Sequence, residues 1–301
     1  MVLRDVLLDG TKRLKESNIE APAVEAGAIL CHVLGCNRTY LYSHDDYILS
    51  DEQYTRYMLL LDERLEGRPV QYITGHQEFM SLDFIVTPHV LIPRQDTEIL
   101  VEEVIEYAKG IKGDKIEILD IGTGSGCIAV SLAHYISKSR VSALDVSLQA
   151  LKMAHMNATN NNVDRKITFL LGDVFGGLEN ILSPDRAGES SSNSGNQRVL
   201  FDIIVSNPPY IPSNDISTLE KQVKDYEPYC ALDGGKDGLI FYRRIVEQSI
   251  SYLKPGGLLA FEVGIGQAYD VKGIMGNSFN NLKIVKDLAG IDRVVMGNFN
   301  P

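Results

Sequence analysis

Four consecutive residues, Asn207-Pro208-Pro209-Tyr210, bring together an amide side chain, two rigid carbonyls and an aromatic ring. They follow an apolar run, 199–205, which predicts a buried strand. Two prolines end that strand, since neither can donate to a sheet ladder. The turn is therefore stiff and leaves carbonyls without ladder partners. Such a set is suited to grip a planar –NH2 group, with the Asn207 side-chain oxygen and the Pro208 carbonyl accepting its hydrogens and Tyr210 packing on its plane. Taken alone, Asn-Pro is equally a tight turn with an Asn cap, so the rest of the chain decides.

A second chemical stretch is Asp120-Ile121-Gly122-Thr123-Gly124-Ser125-Gly126, between a predicted strand, 116–121, and a predicted helix, 127–136. Glycines there let the backbone turn tightly and approach a ligand. A nicotinamide enzyme would place Gly or Ala at the sixth position of Gly-x-Gly-x-x-Gly/Ala; here it is Cys127. Gly-x-Gly-x-Gly after an acidic residue is instead the spacing of enzymes that use S-adenosylmethionine. Asp145 ends the next predicted strand, where a carboxylate can accept from both ribose hydroxyls. Its plainer role would be to cap the following helix, a task Ser147 can take. Gly172-Asp173-Val174-Phe175 follows the third strand, with Asp173 placed to accept from the adenine amino group and Val174 or Phe175 to cover the ring. The expected cofactor set is therefore Gly122, Thr123, Gly124, Ser125, Gly126, Asp145, Asp173, Val174 and Asn207, with S-adenosylhomocysteine as the product and no metal.

Asn207 to Tyr210 end the fourth of these strands, beside the methyl group to be transferred. An amide or aromatic amine nitrogen is a poor nucleophile because its lone pair is delocalised. Hydrogen bonds from it to Asn207 and Pro208 favour a pyramidal nitrogen aimed at the methyl, so the work is positioning and electrostatics. A general base is not required, since the nitrogen becomes acidic only as it is methylated. The expected catalytic residues are Asn207, Pro208 and Tyr210. Asn207, Pro208, Pro209, Tyr210 and Arg94, the last in a Pro-Arg turn, are the expected substrate contacts.

These stretches need a frame. From Lys115 onward strands and helices alternate, which predicts an α/β, doubly wound, Rossmann-like sheet. The final two strands suggest an antiparallel edge. Residues 1–67 predict a small helical domain. A helix over 21–34 carries Pro22 in its first turn and Gly35 at its end, and Ser50 with Gln53 forms a capping box opening a third helix. Residues 68–92, with β-branched and aromatic runs at Tyr72-Ile73-Thr74 and from Phe79 to Thr87 around Gly75, predict a β-hairpin linker. Asp96 is the expected N-cap of a helix ending near Lys109. The methyltransferase domain then spans 93–301, with a flexible Ser-rich loop at 183–198.

Composition sets outer limits. The net charge of −11 argues against binding along a nucleic-acid backbone. Cys31, Cys36, Cys127 and Cys230 match no Cys/His metal spacing and are expected to be reduced thiols. No signal peptide or membrane-length apolar run is legible, so a cytoplasmic protein without membrane association is expected.

The chain resembles the PrmC (HemK) family, the N5-glutamine methyltransferases of class I peptide chain release factors. The resemblance rests on Gly75-His76-Gln77-Glu78-Phe79, Ile92-Pro93-Arg94-Gln95-Asp96-Thr97-Glu98, Asp120 to Gly126, Asn207 to Ile211, Glu227-Pro228 with Ala231-Leu232, and Asp292-Arg293. Family members usually carry a second proline where Gln95 stands, which here loosens the turn without removing Arg94. The resemblance implies a class I methyltransferase fold. It also implies that Gly122 to Gly126 and Asp145 hold the cofactor, and that Asn207 to Tyr210 hold the glutamine of a Gly-Gly-Gln tripeptide. The helical domain and hairpin would help engage the release factor, affecting translation termination; a monomer is expected. Two alternatives stand beside this reading. A DNA adenine N6-methyltransferase shares Asn-Pro-Pro-Tyr chemistry but needs a basic DNA-reading domain, whereas this N-terminal domain is acidic. A non-catalytic S-adenosylmethionine-binding protein would have no need of the amide-gripping turn.

Overall fold

In the computed structural model, which describes residues 1–178 and 199–301, local capping chemistry fixes the N-terminal helices. The Ser-rich stretch 183–198 lies outside the described residues. Helices α1 (Leu3–Glu16), α2 (Pro22–Leu34), α3 (Arg38–Ser43), α4 (Asp51–Leu65) and α5 (Val70–Thr74) follow in order. Pro22 opens α2, and Gly35 closes it at φ 63°. At α4 the Gln53 peptide N–H donates to Ser50 Oγ, and the Ser50 peptide N–H donates to Gln53 Oε1.

Helix α5 corrects the hairpin expectation, because Tyr72-Ile73-Thr74 is helical rather than extended. Pro69 precedes its first turn, Thr74 Oγ1 donates to the Val70 carbonyl at 3.0 Å, and Gly75 at φ 80° ends it. Burial of Ile73 in the helical core outweighs the β-propensity of the run. The hairpin itself is β1 (His76–Phe79) with β2 (Leu82–Ile85). By contact, the chain divides into one unit of Met1–His76 with Leu219–Tyr226, and a second of Gln77–Thr218 with Glu227–Pro301. The short helix α9 (Lys221–Lys224, numbered in chain order) thus belongs to the helical unit, where Arg64 bonds both Glu25 and Gln222.

The second unit holds α6 (Asp96–Lys109), β3 (Ile116–Ile121), α7 (Cys127–Tyr135), β4 (Ser139–Asp145), α8 (Leu148–Asn160), β5 (Ile167–Leu171) and β6 (Phe201–Ser206). After α9 follow α10 (Ile240–Ser249), β7 (Leu253–Glu262), α11 (Ala268–Met275), β8 (Phe279–Lys286) and β9 (Asp292–Phe299). The sheet order is β5-β4-β3-β6-β7-β9-β8. β9 runs antiparallel to both β7 and β8, and the other pairs are parallel, as the sequence suggested. Side chains alternate across the sheet. Ile118, Ile203 and Val205 join a core with α6, α7 and α8 residues, whereas Leu119, Ile204 and Phe261 join one with α10 and α11 residues. Both faces are therefore covered, which accounts for the nearly unbroken apolar runs of β3 and β6. From β3 the chain moves outward to β4 and β5, then returns to place β6 on the other side of β3. That reversal opens a crevice at the carboxyl ends of the strands.

Candidate active site

An open cleft lies at this reversal, lined by the carboxyl ends of β3, β4 and β6 and the turn after β5. The loop after β3 is shaped from within. Thr123 Oγ1 donates to the buried Asp120 carboxylate at 2.6 Å. Burial pushes the Asp120 carboxyl up to about 7, opposed by the Thr123 hydrogen bond. Gly126, at φ 83°, opens α7, and a Cβ there would come within 2.9 Å of the Ala154 Cβ. This glycine thus lets α8 pack close beneath the loop. Asn157, fully buried on α8, donates to the Ser125 carbonyl at 2.8 Å and exchanges bonds with the Ile85 peptide N–H and carbonyl. It ties the hairpin to the glycine loop.

Gly122 and Gly124 line the cleft; Thr123, Ser125 and Gly126 do not, and act as its frame. Asp145 also lines it. Its Oδ2 accepts from the Gly124 peptide N–H and its Oδ1 from the Ser147 peptide N–H, both at 2.8 Å. Ser147 caps α8, with its side chain accepting from the Ala150 peptide N–H. Asp145 is therefore free of that duty, a buried carboxylate held rigid and facing the cleft. Burial raises its pKa against those peptide hydrogen bonds. Asp173 lines the cleft with its carboxylate paired to Arg244 at 2.7 Å. Val174 lines it too, at φ 58°, a strained backbone for a β-branched residue and a feature that clusters at functional sites. Phe175 points elsewhere, stacking on Tyr252 with ring centroids 4.8 Å apart.

Asn207, Pro208 and Pro209 line the same cleft. Tyr210 does not: its ring packs against the core on the α10 face, and its carbonyl accepts from Gln267 Nε2 at 2.9 Å. Burial, then the nearby Glu262 charge, raises its pKa. Arg94 is likewise absent from the cleft wall. Its Nη2 donates to both oxygens of the buried Glu227 carboxylate, at 2.7 and 2.6 Å. The neighbouring Pro228 and Cys230 line the cleft, so Arg94 acts on this wall through Glu227. Asp96 is not a cap. Gln95 precedes α6 without a side-chain cap bond, and the Asp96 carboxylate instead pairs with Arg293 at 2.8 Å.

Two residues missed by sequence reasoning complete the site. Asn207 Nδ2 donates to Thr97 Oγ1 at 3.3 Å. Glu262, the last residue of β7, is 2% exposed. Burial pushes its carboxyl up to about 7; hydrogen bonds from Thr97 and Asn207 and the Arg293 charge oppose this, and Asp96 adds to it. The available signal was a carboxylate closing the apolar strand Leu-Leu-Ala-Phe-Glu.

The donor set fits S-adenosylmethionine. A rigid buried carboxylate suits vicinal hydroxyls, a second carboxylate suits an amino group, and exposed loop glycines admit close backbone approach. Among the described residues, no group of three or more His, Cys, Asp or Glu could hold a metal ion. Residues 5–75 match the family model described as the PrmC N-terminal domain, and residues 97–207 match that of ribosomal protein L11 methyltransferase (PrmA). The release factor glutamine methyltransferase of Koribacter versatilis is 38% identical over 297 residues, covering 99% of this chain and 98% of that protein. Its counterpart in Geobacter sulfurreducens is 42% identical over 293 residues, covering 97% and 95%. Among solved structures, the hMettl16 catalytic domain in complex with the MAT2A 3′UTR hairpin 6 superposes with a TM-score of 0.52 at 15% identity. The match covers 84% of this chain and 83% of that one, and the likeness is one of fold.

Proposed function

Because the chain belongs to the release factor glutamine methyltransferases, it methylates the side-chain amide nitrogen (N5) of a release-factor glutamine, and we propose that the turn Asn207–Tyr210 holds that amide. S-adenosylmethionine, when bound, supplies an electrophilic sulfonium methyl and leaves as S-adenosylhomocysteine. Gly122, Gly124, Asp145, Asp173 and Val174 hold it in this reading. Asp145 takes the ribose hydroxyls, Asp173 the adenine amino group and Val174 one face of the ring, on a loop braced by Thr123, Ser125 and Gly126.

Asn207 Oδ1 and the Pro208 carbonyl accept the two N–H bonds of the glutamine amide. Bonded this way, the nitrogen is drawn toward a pyramidal geometry and its lone pair is freed for in-line attack. Pro209 keeps the Pro208 carbonyl fixed. Tyr210 supports the turn from beneath, and Arg94 supports the opposite wall through Glu227. The proton leaves once the nitrogen is methylated, so no dedicated base is assigned. The observation that carries this reading is the Asn207 amide. Its NH2 donates inward to Thr97, so its oxygen is left for a donor in the cleft.

The substrate tripeptide is Gly-Gly-Gln in this proposal, and its methylation modulates translation termination in the cytoplasm. The helical domain docks the release factor. The enzyme works as a monomer without metal, nucleic acid or membrane; among the described residues no helix is long and apolar enough to cross a bilayer. Purified protein, labelled S-adenosylmethionine and unmodified release factor test it. Asn207→Ala should abolish methylation seen by mass spectrometry while leaving cofactor affinity near wild type. Labelled duplex DNA beside an untouched release factor would overturn the proposal.

A further inference from the structure

Glu262 is a buried carboxylate that the methyl-transfer chemistry does not itself require. It sits at the end of β7, next to β6 in the sheet, and its Oε2 has no hydrogen-bond partner among the described residues. Facing it are Thr97 and Asp96 from α6, Asn207 and Tyr210 after β6, Arg293 from β9, Tyr242 from α10 and Cys127 from α7. Among the described residues, hydrogen bonding from Thr97 and Asn207 favours its charged form.

We propose that Glu262 makes the site selective for an amide over a carboxylate, by fixing which end of the Asn207 side chain faces the substrate. The inference rests on the reading that Asn207 holds the substrate amide. Above pH 7, where Glu262 is ionised, its carboxylate accepts hydrogen bonds and cannot donate one. With the Asn207 NH2 turned inward, its hydrogens meet Thr97 Oγ1 and the Glu262 carboxylate, and the Thr97 hydroxyl proton has Glu262 as its acceptor. If the amide were turned over, Asn207 Oδ1 would face the carboxylate, lone pair against lone pair. Thr97 alone would not prevent this, because a hydroxyl can donate or accept. Glu262 therefore decides the orientation. The outward oxygen welcomes the N–H donors of glutamine and repels the acceptor oxygens of glutamate. Glu262 is a positioning residue, since it acts through Asn207.

The test uses the full chain with two forms of the release factor, one carrying Gly-Gly-Gln and one Gly-Gly-Glu. Docking elsewhere on the release factor is common to both forms and cancels in their ratio. Wild-type enzyme should methylate the glutamine form and be inhibited only weakly by the glutamate form. Glu262→Gln is isosteric but can offer Asn207 either its oxygen or its NH2. It should lower kcat on glutamine by roughly 10- to 150-fold, the worth of a hydrogen bond to a charged group. The KM for S-adenosylmethionine should change less than about threefold, within the context scatter of such interactions. The glutamate form should become a correspondingly better inhibitor relative to the glutamine form. Glu262→Met, which removes both acceptor oxygens at similar length and burial, should move kcat and the ratio in the same direction and carries the test if Glu262→Gln does not fold. Unchanged kcat and an unchanged ratio in the folded variants would overturn the inference alone, provided Asn207→Ala is inactive. Turnover by Asn207→Ala would bring down the reading of the turn and this inference with it.

Discussion

Replacing Asp145 by Asn tests the cofactor assignment most directly, because the structure fixes what the change can do. Each carboxylate oxygen already accepts one peptide N–H, from Gly124 and from Ser147, at 2.8 Å. Asparagine has a single acceptor oxygen. One of those N–H groups must then face an NH2, and one ribose hydroxyl must lose a charged acceptor. A hydrogen bond to a charged group is worth about 1.5–3 kcal/mol, or roughly 10- to 150-fold in Kd. Stability of the unliganded protein should fall less. Burial disfavours the Asp145 charge, so neutralising it relieves a desolvation cost that partly offsets the strained peptide contact. Titration calorimetry with S-adenosylhomocysteine reads the first quantity, and urea denaturation without ligand reads the second. Saturating S-adenosylmethionine should restore most of kcat. A Kd within threefold of wild type would refute the assignment. An equal loss of stability and affinity would reduce Asp145 to a structural brace.

Gly234→Ala should slow catalysis while sparing cofactor binding. Its Cβ would lie 2.8 Å from the Pro209 carbonyl oxygen and from Tyr210 backbone atoms, so the turn must shift; an unchanged kcat would remove the need for that close fit. Arg94→Ala should destabilise the fold by about 1–3 kcal/mol, because the buried Glu227 carboxylate loses its charged partner while Arg94 itself is part-exposed. Adding Glu227→Gln should recover part of that loss in urea melts, whereas no recovery would show that Arg94 acts elsewhere. Asp120→Asn should flatten the pH dependence of stability. The Asp120 pKa rises from 3.8 to about 7 on folding, so the folded form keeps a proton that the unfolded form gives up between these values. Stability is then present at low pH and declines as pH rises toward 7, by at most about 4 kcal/mol. Denaturation at pH 5 and pH 8 checks the slope, and an identical slope in the variant would contradict the assignment.

The glycine loop and the Asn207–Tyr210 turn were legible because each is contiguous, and each ends an apolar run whose strand character is strong. Asp145 was legible from its place after the next such run. The supports of these groups were not. Thr97 meets Asn207 across 110 residues of sequence, and Asn157 meets Ile85 across 72. No local period reports such pairs; only the folded sheet brings them together. Asp96 misled as a cap because Asp before an apolar period is a good helix start, while its actual partner, Arg293, lies near the other end of the chain. The partner of Arg94 was not legible either: the buried Glu227 that takes up its charge lies 133 residues away in sequence.

The placement of Leu219–Tyr226 in the helical unit affects how this protein can be dissected or recombined. The unit is not a prefix that can be clipped at residue 77. A truncation there would remove Glu25 and Arg64 and strand Gln222, which bonds Arg64, in a loop that leads from the Asn207 turn to Glu227. A chimera exchanging the helical unit between relatives would therefore have to carry two inserts, 1–76 and 219–226, in register. Swapping the first alone should leave Gln222 without its native Arg64 partner.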